Sequence, residues 1–298
     1  MSPKQFSGVY AALLTPRTPD GAVDANALQN LVRFLLSKGV ESFAVNGATG
    51  EFCMTTAPEL RSLLRAVRDA GADATRILCG VGSSSTRGVK ELASIAADEG
   101  AAALLLPMPY FFRYAQEDLE LYCRTVANSA RLPLLLYNLP QFSSGLDKDT
   151  VHKLISETEN IVGIKDSSGE LDILRDLSNR RVDGSRIVGN DTVLADAITE
   201  HICDGVVSGI ACALPELVLG LFKEPAGSEK FHHSAQLLSE FAARLDQFPA
   251  PWALKWAVEA RGVMPATISY PVTERRATQA SNFMSWFREW LAASRFDN

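Results

Sequence analysis

Asn160-Ile161-Val162-Gly163-Ile164-Lys165-Asp166-Ser167-Ser168-Gly169 is the stretch that decides the fold. An apolar run leads into a lysine, and the chain then breaks into a small polar loop. Alternation puts Val162 and Ile164 on one side of an extended strand and Ile161 and Gly163 on the other, so neither side is polar. A strand of that kind belongs in a parallel sheet covered on both faces. Lysine is out of place at its end, because an ammonium loses its hydration there. Lys165 therefore has two readings. It snorkels to solvent or pairs with Asp166, as most lysines would, or it stands at a barrel mouth as an amine ready to form an imine with a ketone.

The same pattern recurs on either side of this strand. Short apolar strands are expected in the run ending at 11–16, then at 42–46, 77–81, 102–106, 134–138, 187–189 and 205–208. Between them lie amphipathic helices over 24–37, from 56 onward, 85–97, 116–128, 147–157, 170–177 and 192–200. Eight strands alternating with helices of this length predict a TIM (β/α)8 barrel, in which strand 160–165 is the sixth. Residues 1–225 are expected to form the barrel core. Residues 226–298 form a C-terminal helical extension packed on it within the same structural domain, broken near Pro225, Pro249-Ala250-Pro251 and Pro271.

Composition narrows the function. The chain has 298 residues, 47% hydrophobic, with a formal charge of -6, and its 29 Lys and Arg form no basic run. No nucleic-acid partner is expected. No apolar run approaches the roughly 18 residues of a membrane span, and the N-terminus has no signal-peptide core, so no membrane partner and a cytoplasmic location are expected. The five cysteines are scattered with no CxxC pair, and there are four histidines. That pattern argues for core thiols at Cys79 and Cys203 in a reducing compartment and against a metal site.

A barrel gathers the C-terminal ends of its strands on one rim. Gly47-Ala48-Thr49-Gly50-Glu51 follows the second strand, where glycines permit close backbone approach and Thr49 offers a hydroxyl and an N–H to a carboxylate. Taken alone, it reads as a structural turn with an N-cap rather than as a binding loop. Pro107-Met108-Pro109-Tyr110-Phe111-Phe112 makes an aromatic rim after the fourth strand. Tyr137 ends the fifth, where it is either a core tyrosine or a proton carrier. Gly189-Asn190-Asp191 ends the seventh, where Asp191 either binds substrate hydroxyls or caps the next helix. No carboxylate pair is placed for Mg²⁺, and no glycine-rich phosphate loop with lysine occurs. Amine catalysis at Lys165 is the chemistry that remains.

These motifs resemble those of the N-acetylneuraminate lyase and dihydrodipicolinate synthase superfamily of pyruvate-dependent class I aldolases, over nearly the whole chain. Gly47-Ala48-Thr49-Gly50-Glu51 is similar to its Gly-Thr/Ser-Thr-Gly-Glu, Tyr137-Asn138-Leu139-Pro140 to its Tyr-Asn-x-Pro, and Gly163-Ile164-Lys165-Asp166 to its Gly-x-Lys-Asp/Glu. The resemblance implies a Schiff base with pyruvate or another 2-oxo acid on Lys165, proton transfer by Tyr137, and carboxylate binding by Thr49 with Gly47 and Ala48. It places the carbonyl of Val207 against the pyruvyl group. It also implies no cofactor beyond the imine and a homotetramer built as a dimer of dimers.

The departures bear on the substrate. Ala48 lacks the first hydroxyl of the loop pair. Phe111 occupies the position of a tyrosine that enters a neighbouring subunit, unless a shift of one residue puts Tyr110 there. Phe142 replaces the arginine with which dihydrodipicolinate synthases clamp aspartate semialdehyde, which removes a bidentate carboxylate partner. Thr192 replaces the glutamate favoured by neuraminate lyases. The expected activity is reversible cleavage of a 2-keto-3-deoxy sugar acid, shorter than nine carbons, to pyruvate and an aldehyde, with Gly189, Asp191 and Phe142 binding substrate. The alternatives are a 2-keto-3-deoxy acid dehydratase, a 4-hydroxy-tetrahydrodipicolinate synthase, and a pyruvate-binding member without turnover.

Overall fold

The computed structural model describes residues 6–294. Eight parallel strands close into a barrel in sequence order: β1 (Gly8–Ala12), β2 (Ser42–Val45), β3 (Ile77–Gly80), β4 (Ala103–Pro107), β5 (Leu134–Asn138), β6 (Ile161–Asp166), β7 (Ser185–Val188) and β8 (Gly205–Ser208). The helices that follow them are α1 (Ala25–Ser37), α2 (Ala57–Asp69), α3 (Thr86–Asp98), α4 (Gln116–Ala127), α5 (Lys148–Glu157), α6 (Asp172–Asn179), α7 (Leu194–Thr199) and α8 (Pro215–Lys223). Their starts are written in the sequence. Asp24, Ser85 and Asp147 accept backbone N–H groups of the first turn, and Thr56 with Glu59 forms a capping box.

Side chains of the strands divide into two layers. Tyr10, Ala44, Leu78, Leu105, Leu135 and Val207 belong to the cluster filling the barrel, while Phe43, Cys79, Leu104, Leu136 and Val206 pack outwards against the helices. The alternation expected for the sixth strand does not hold along its whole length. Ile161 and Ile164 both pack outwards, and Val162 lies against the barrel interior. A bulge accounts for this: Leu134 pairs with Ile161 but Leu135 pairs with Gly163, leaving Val162 as the extra residue. Gly163, at φ +154, passes so close to Ser185 that a Cβ would collide with its backbone.

The first strand lies earlier than its apolar run suggested. Leu13 and Leu14 fall beyond β1 yet are buried, and Leu13 N still donates to Ala44 O at 2.9 Å. The expected helix over 192–200 opens as a 3₁₀ turn, Asp191–Val193, before α7 begins.

Three further helices follow the barrel: α9 (Glu229–Leu245), α10 (Trp252–Ala260) and α11 (Glu274–Ser294). Phe241 joins α9 to Phe287 and Trp290 of α11 through ring contacts of 5.4 and 5.7 Å. The breaks between them fall at the expected prolines. All five cysteines are free; Cys79 is buried as expected, whereas Cys203 is only partly so. Among the described residues no helix is long and apolar enough to cross a membrane.

Candidate active site

Lys165 points from β6 into the barrel mouth, in register with Tyr137 of β5 and Ile187 of β7. It is 3% exposed, and its Nζ stands 3.9 Å above the centroid of the Tyr137 ring. The ring face offers the ammonium partial compensation for lost water. Among the described residues no carboxylate lies within the 4.0 Å of an ion pair with it. Both ordinary readings of this lysine therefore fail. It does not reach solvent, and Asp166 is engaged elsewhere: its Oδ1 accepts from Asn138 Nδ2 at 2.9 Å and from Ser168 N at 3.0 Å. Burial pushes the Asp166 carboxyl above the usual carboxylate range.

Gly189 makes room for the lysine stem. A Cβ there would stand 2.7 Å from Lys165 Cε and collide with Ser167 Oγ. Asp191 does not cap the following helix, because Asn190 does so by accepting from Thr192 N at 3.0 Å. The Asp191 carboxylate instead turns inwards and accepts from Ile210 N at 3.3 Å. Burial raises its pKa to about 6, although the Ser208 hydroxyl, the Ile210 N–H and the nearby charge of Lys165 act in the opposite direction. Asp191 Oδ1 and Ser167 Oγ are both buried without a hydrogen-bond partner among the described residues. One side of the mouth thus presents unpaired polar atoms beside the amine.

The 47–51 loop is held in an unusual shape. Asn46 at φ 59 and Glu51 at φ 56 bracket it in the left-handed region, which non-glycine residues rarely adopt. Asn46 Nδ2 donates to Gly80 O at 2.8 Å. Glu51 Oε2 accepts from Lys255 Nζ at 2.6 Å, and Lys255 also donates to Thr267 O at 3.1 Å. Lys255, on α10, is 0% exposed, so a fully buried ion pair ties the loop to the C-terminal extension. Gly47 is buried, and Ala48 packs on the barrel interior. Thr49 is partly buried against the turn after β8, where a Cβ on Gly209 would stand 3.1 Å from its Oγ1. Val207 is 1% exposed and in register with Tyr10 inside the barrel.

The two aromatic candidates separate. Tyr110 lines a cavity of about 430 Å³ at the mouth and meets Phe52 edge to face at 5.8 Å. Phe111, at φ 83, is 89% exposed and touches the ring of Phe112. Phe142 lies on the lip of the cavity at 63% exposure. Sequence reasoning did not single out Lys255, Ser167 or Ser208. The signal for Lys255 was present: it interrupts the apolar run Trp252-Ala253-Leu254-Lys255-Trp256-Ala257-Val258 much as Lys165 ends its own strand. Among the described residues no cluster of three or more His, Cys, Asp or Glu side chains is placed to hold a metal.

The mouth thus joins a buried amine, a tyrosine ring beside it, the glycine-threonine loop and two unpaired buried polar atoms. Residues 5–289 match the Dihydrodipicolinate synthetase family. The chain is 32% identical over 295 residues to the 4-hydroxy-tetrahydrodipicolinate synthase of Thioalkalivibrio sulfidiphilus, covering 97% of this chain and 98% of that one. Its fold superposes on the crystal structure of dihydrodipicolinate synthase from Aquifex aeolicus with a TM-score of 0.86 at 26% identity, over 96% of this chain and 98% of that one. The chloride-inhibited dihydrodipicolinate synthase of Acinetobacter baumannii, complexed with pyruvate, gives a TM-score of 0.83 at 26% identity over 95% and 98% of the two chains. With the motifs standing together at the end of a closed eight-stranded barrel, the chain belongs to the dihydrodipicolinate synthetase family and, with it, to the pyruvate-dependent class I aldolases that make or break a carbon–carbon bond.

Proposed function

We propose that this protein cleaves and forms 2-keto-3-deoxy acids, with pyruvate as one product and an aldehyde as the other. The observation that carries this reading is the Lys165 ammonium, buried without a counter-ion among the described residues and 3.9 Å from the centre of the Tyr137 ring. In this scheme unprotonated Lys165 attacks C2 of the 2-oxo acid and water leaves, giving an iminium that draws electrons from the adjacent carbons. The substrate carboxylate rests on the Gly47-Ala48-Thr49 backbone and the Thr49 hydroxyl, and the Val207 carbonyl faces the pyruvyl carbons. Tyr137 takes the C4 hydroxyl proton as the C3–C4 bond breaks, and the bond's electron pair flows into the iminium to give an enamine. Protonation at C3 and hydrolysis release pyruvate and restore the lysine. No electron donor, acceptor or metal enters this sequence.

Ser167 Oγ and Asp191 Oδ1, both buried without a partner among the described residues, support a hydroxyl close to the reacting carbons, as the C4 hydroxyl of a 2-keto-3-deoxy acid supplies. Gly189 acts by leaving the amine space. The barrel and its extension act as one domain, joined by Lys255 and Glu51. The exposed rings of Phe111 and Phe112 suit burial against another copy in a homotetramer. Reduction with borohydride in the presence of pyruvate, followed by intact-mass measurement, should add one pyruvyl group per chain. An unmodified mass would overturn the proposal.

A second reading is the synthase activity named for the relatives, favoured by identity along nearly the whole chain. Against it, no arginine among the described residues lines the cavity, and Phe142 stands at the position of the clamp. Condensation of pyruvate with aspartate semialdehyde tests it directly.

A further inference from the structure

From the outer half of the mouth we infer the class of aldehyde: a carbonyl compound carrying a ring-sized apolar group, aromatic or branched aliphatic, in place of a polyol chain or a second carboxylate. This rests on the aldolase reading above and deepens it.

The cavity at the mouth, about 430 Å³, begins at Ala48, Thr49 and Leu139. Leu139 and Ala48 pack on the same interior cluster as Tyr137, and Leu139 follows Tyr137 by two residues, so the cavity adjoins the side of the mouth that holds the lysine and the tyrosine. Its walls are Phe52, Tyr110, Phe142, Trp252, Leu254 and Tyr270. Among the described residues Glu51 is the one charged member of the lining, and that charge is already paired with Lys255 at 2.6 Å. Of the hydroxyls, Ser143 Oγ donates to Leu139 O at 3.1 Å, and Thr49 lies at the carboxylate end. Tyr110 and Tyr270 add two phenols, and burial raises the pKa of the first. A polyol entering here would shed its water for few replacement hydrogen bonds, since the lining is mostly rings and aliphatic side chains. A carboxylate would find no cation. An aryl or branched alkyl group would bury apolar surface against rings already set edge to face.

The unpaired acceptors Ser167 Oγ and Asp191 Oδ1 do not alter this. Ser167 and Lys165 both crowd Gly189, so these atoms sit at the depth of the imine and serve hydroxyls near C4. The reaction is then R–CH(OH)–CH2–CO–COO⁻ going to R–CHO and pyruvate, with R apolar. The C3–C4 bond breaks, the hydroxyl proton passes to the tyrosine and a proton returns at C3, so atoms and charge balance without a co-reactant.

The test uses the full-length protein with pyruvate and either benzaldehyde or glyceraldehyde, following the aldol product by mass spectrometry. Benzaldehyde should give at least a tenfold higher kcat/KM than glyceraldehyde. Phe142→Arg, at an exposed position that leaves the core intact, should reduce that ratio at least tenfold. A preference for glyceraldehyde, turnover of neither aldehyde by protein that forms the borohydride-trapped pyruvyl adduct, or an unchanged ratio in F142R would overturn the inference. Failure to form the adduct at all would instead overturn the aldolase reading beneath it.

Discussion

Lys165 on β6 and Lys255 on α10 are both withdrawn from water, at 3% and 0% exposure, but their surroundings differ in kind. Lys255 meets a carboxylate at 2.6 Å and a carbonyl at 3.1 Å, so its charge is compensated and its protons are engaged. Lys165 has the face of a tyrosine ring and, among the described residues, no carboxylate within ion-pair distance. A buried ion pair fixes geometry, because losing either partner strands a charge. A buried amine without such a partner keeps its lone pair available on deprotonation. Burial alone therefore does not mark a reactive lysine. The mark is burial without a counter-ion, at the end of a barrel strand.

Substitution tests that contrast most strongly at Lys165 itself. Lys165→Ala should remove the reduced pyruvyl adduct completely while leaving the thermal midpoint unchanged or raised, since no ion pair is lost. An adduct persisting on another lysine would break the comparison. Tyr137→Phe keeps the ring beneath the ammonium and removes only the hydroxyl. It should still trap pyruvate but lower kcat about 10²- to 10⁴-fold, the range of a lost proton-transfer group. Equal losses of trapping and turnover would assign the tyrosine to holding the lysine.

Lys255→Met should behave in the reverse way. It strands Glu51 and should destabilise the fold by about 3–5 kcal/mol, with much of that recovered in the Lys255→Met, Glu51→Gln double variant. Denaturant midpoints of the three proteins measure it, and a single variant as stable as the parent would show that the pair holds nothing.

The smallest effect concerns Asp191. The folded chain keeps its proton up to about pH 6, whereas the unfolded chain releases it near ~4. Between those values the folded state binds more protons, so this group's contribution to stability falls as pH rises and levels off above about 6. Asp191→Asn should flatten that part of the thermal-midpoint profile. An unchanged slope would mean the carboxyl ionises normally.

The barrel was legible because its signals are local. Apolar strands, capping residues and prolines each lie within a few positions of the boundary they set, and the sixth strand stood out because a lysine closed an apolar run. Lys165, Tyr137 and the 47–51 loop were found by pairing unusual residues with strand ends. The β6 bulge was not legible, since Gly163 reveals its need for close approach only when β7 lies beside it. Asp191 remained ambiguous for a similar reason: Asn190 and Asp191 are equally good caps in sequence, and only the turn after β8 draws one of them inwards. Lys255 lay 204 residues from its partner, a distance that no local pattern spans.

That long-range pair has a consequence for recombining members of the family. The loop and the helix bearing Lys255 are separated by most of the barrel's length, so any single crossover between positions 51 and 255 takes them from different parents. A chimera whose second parent lacks the basic residue would inherit a buried carboxylate with nothing opposite it, however well its strands align. The unit of exchange in this scaffold is therefore not a stretch of consecutive β/α modules. It is a pair of distant segments that must travel together, and libraries built by shuffling should hold Glu51 and Lys255 as a linked choice.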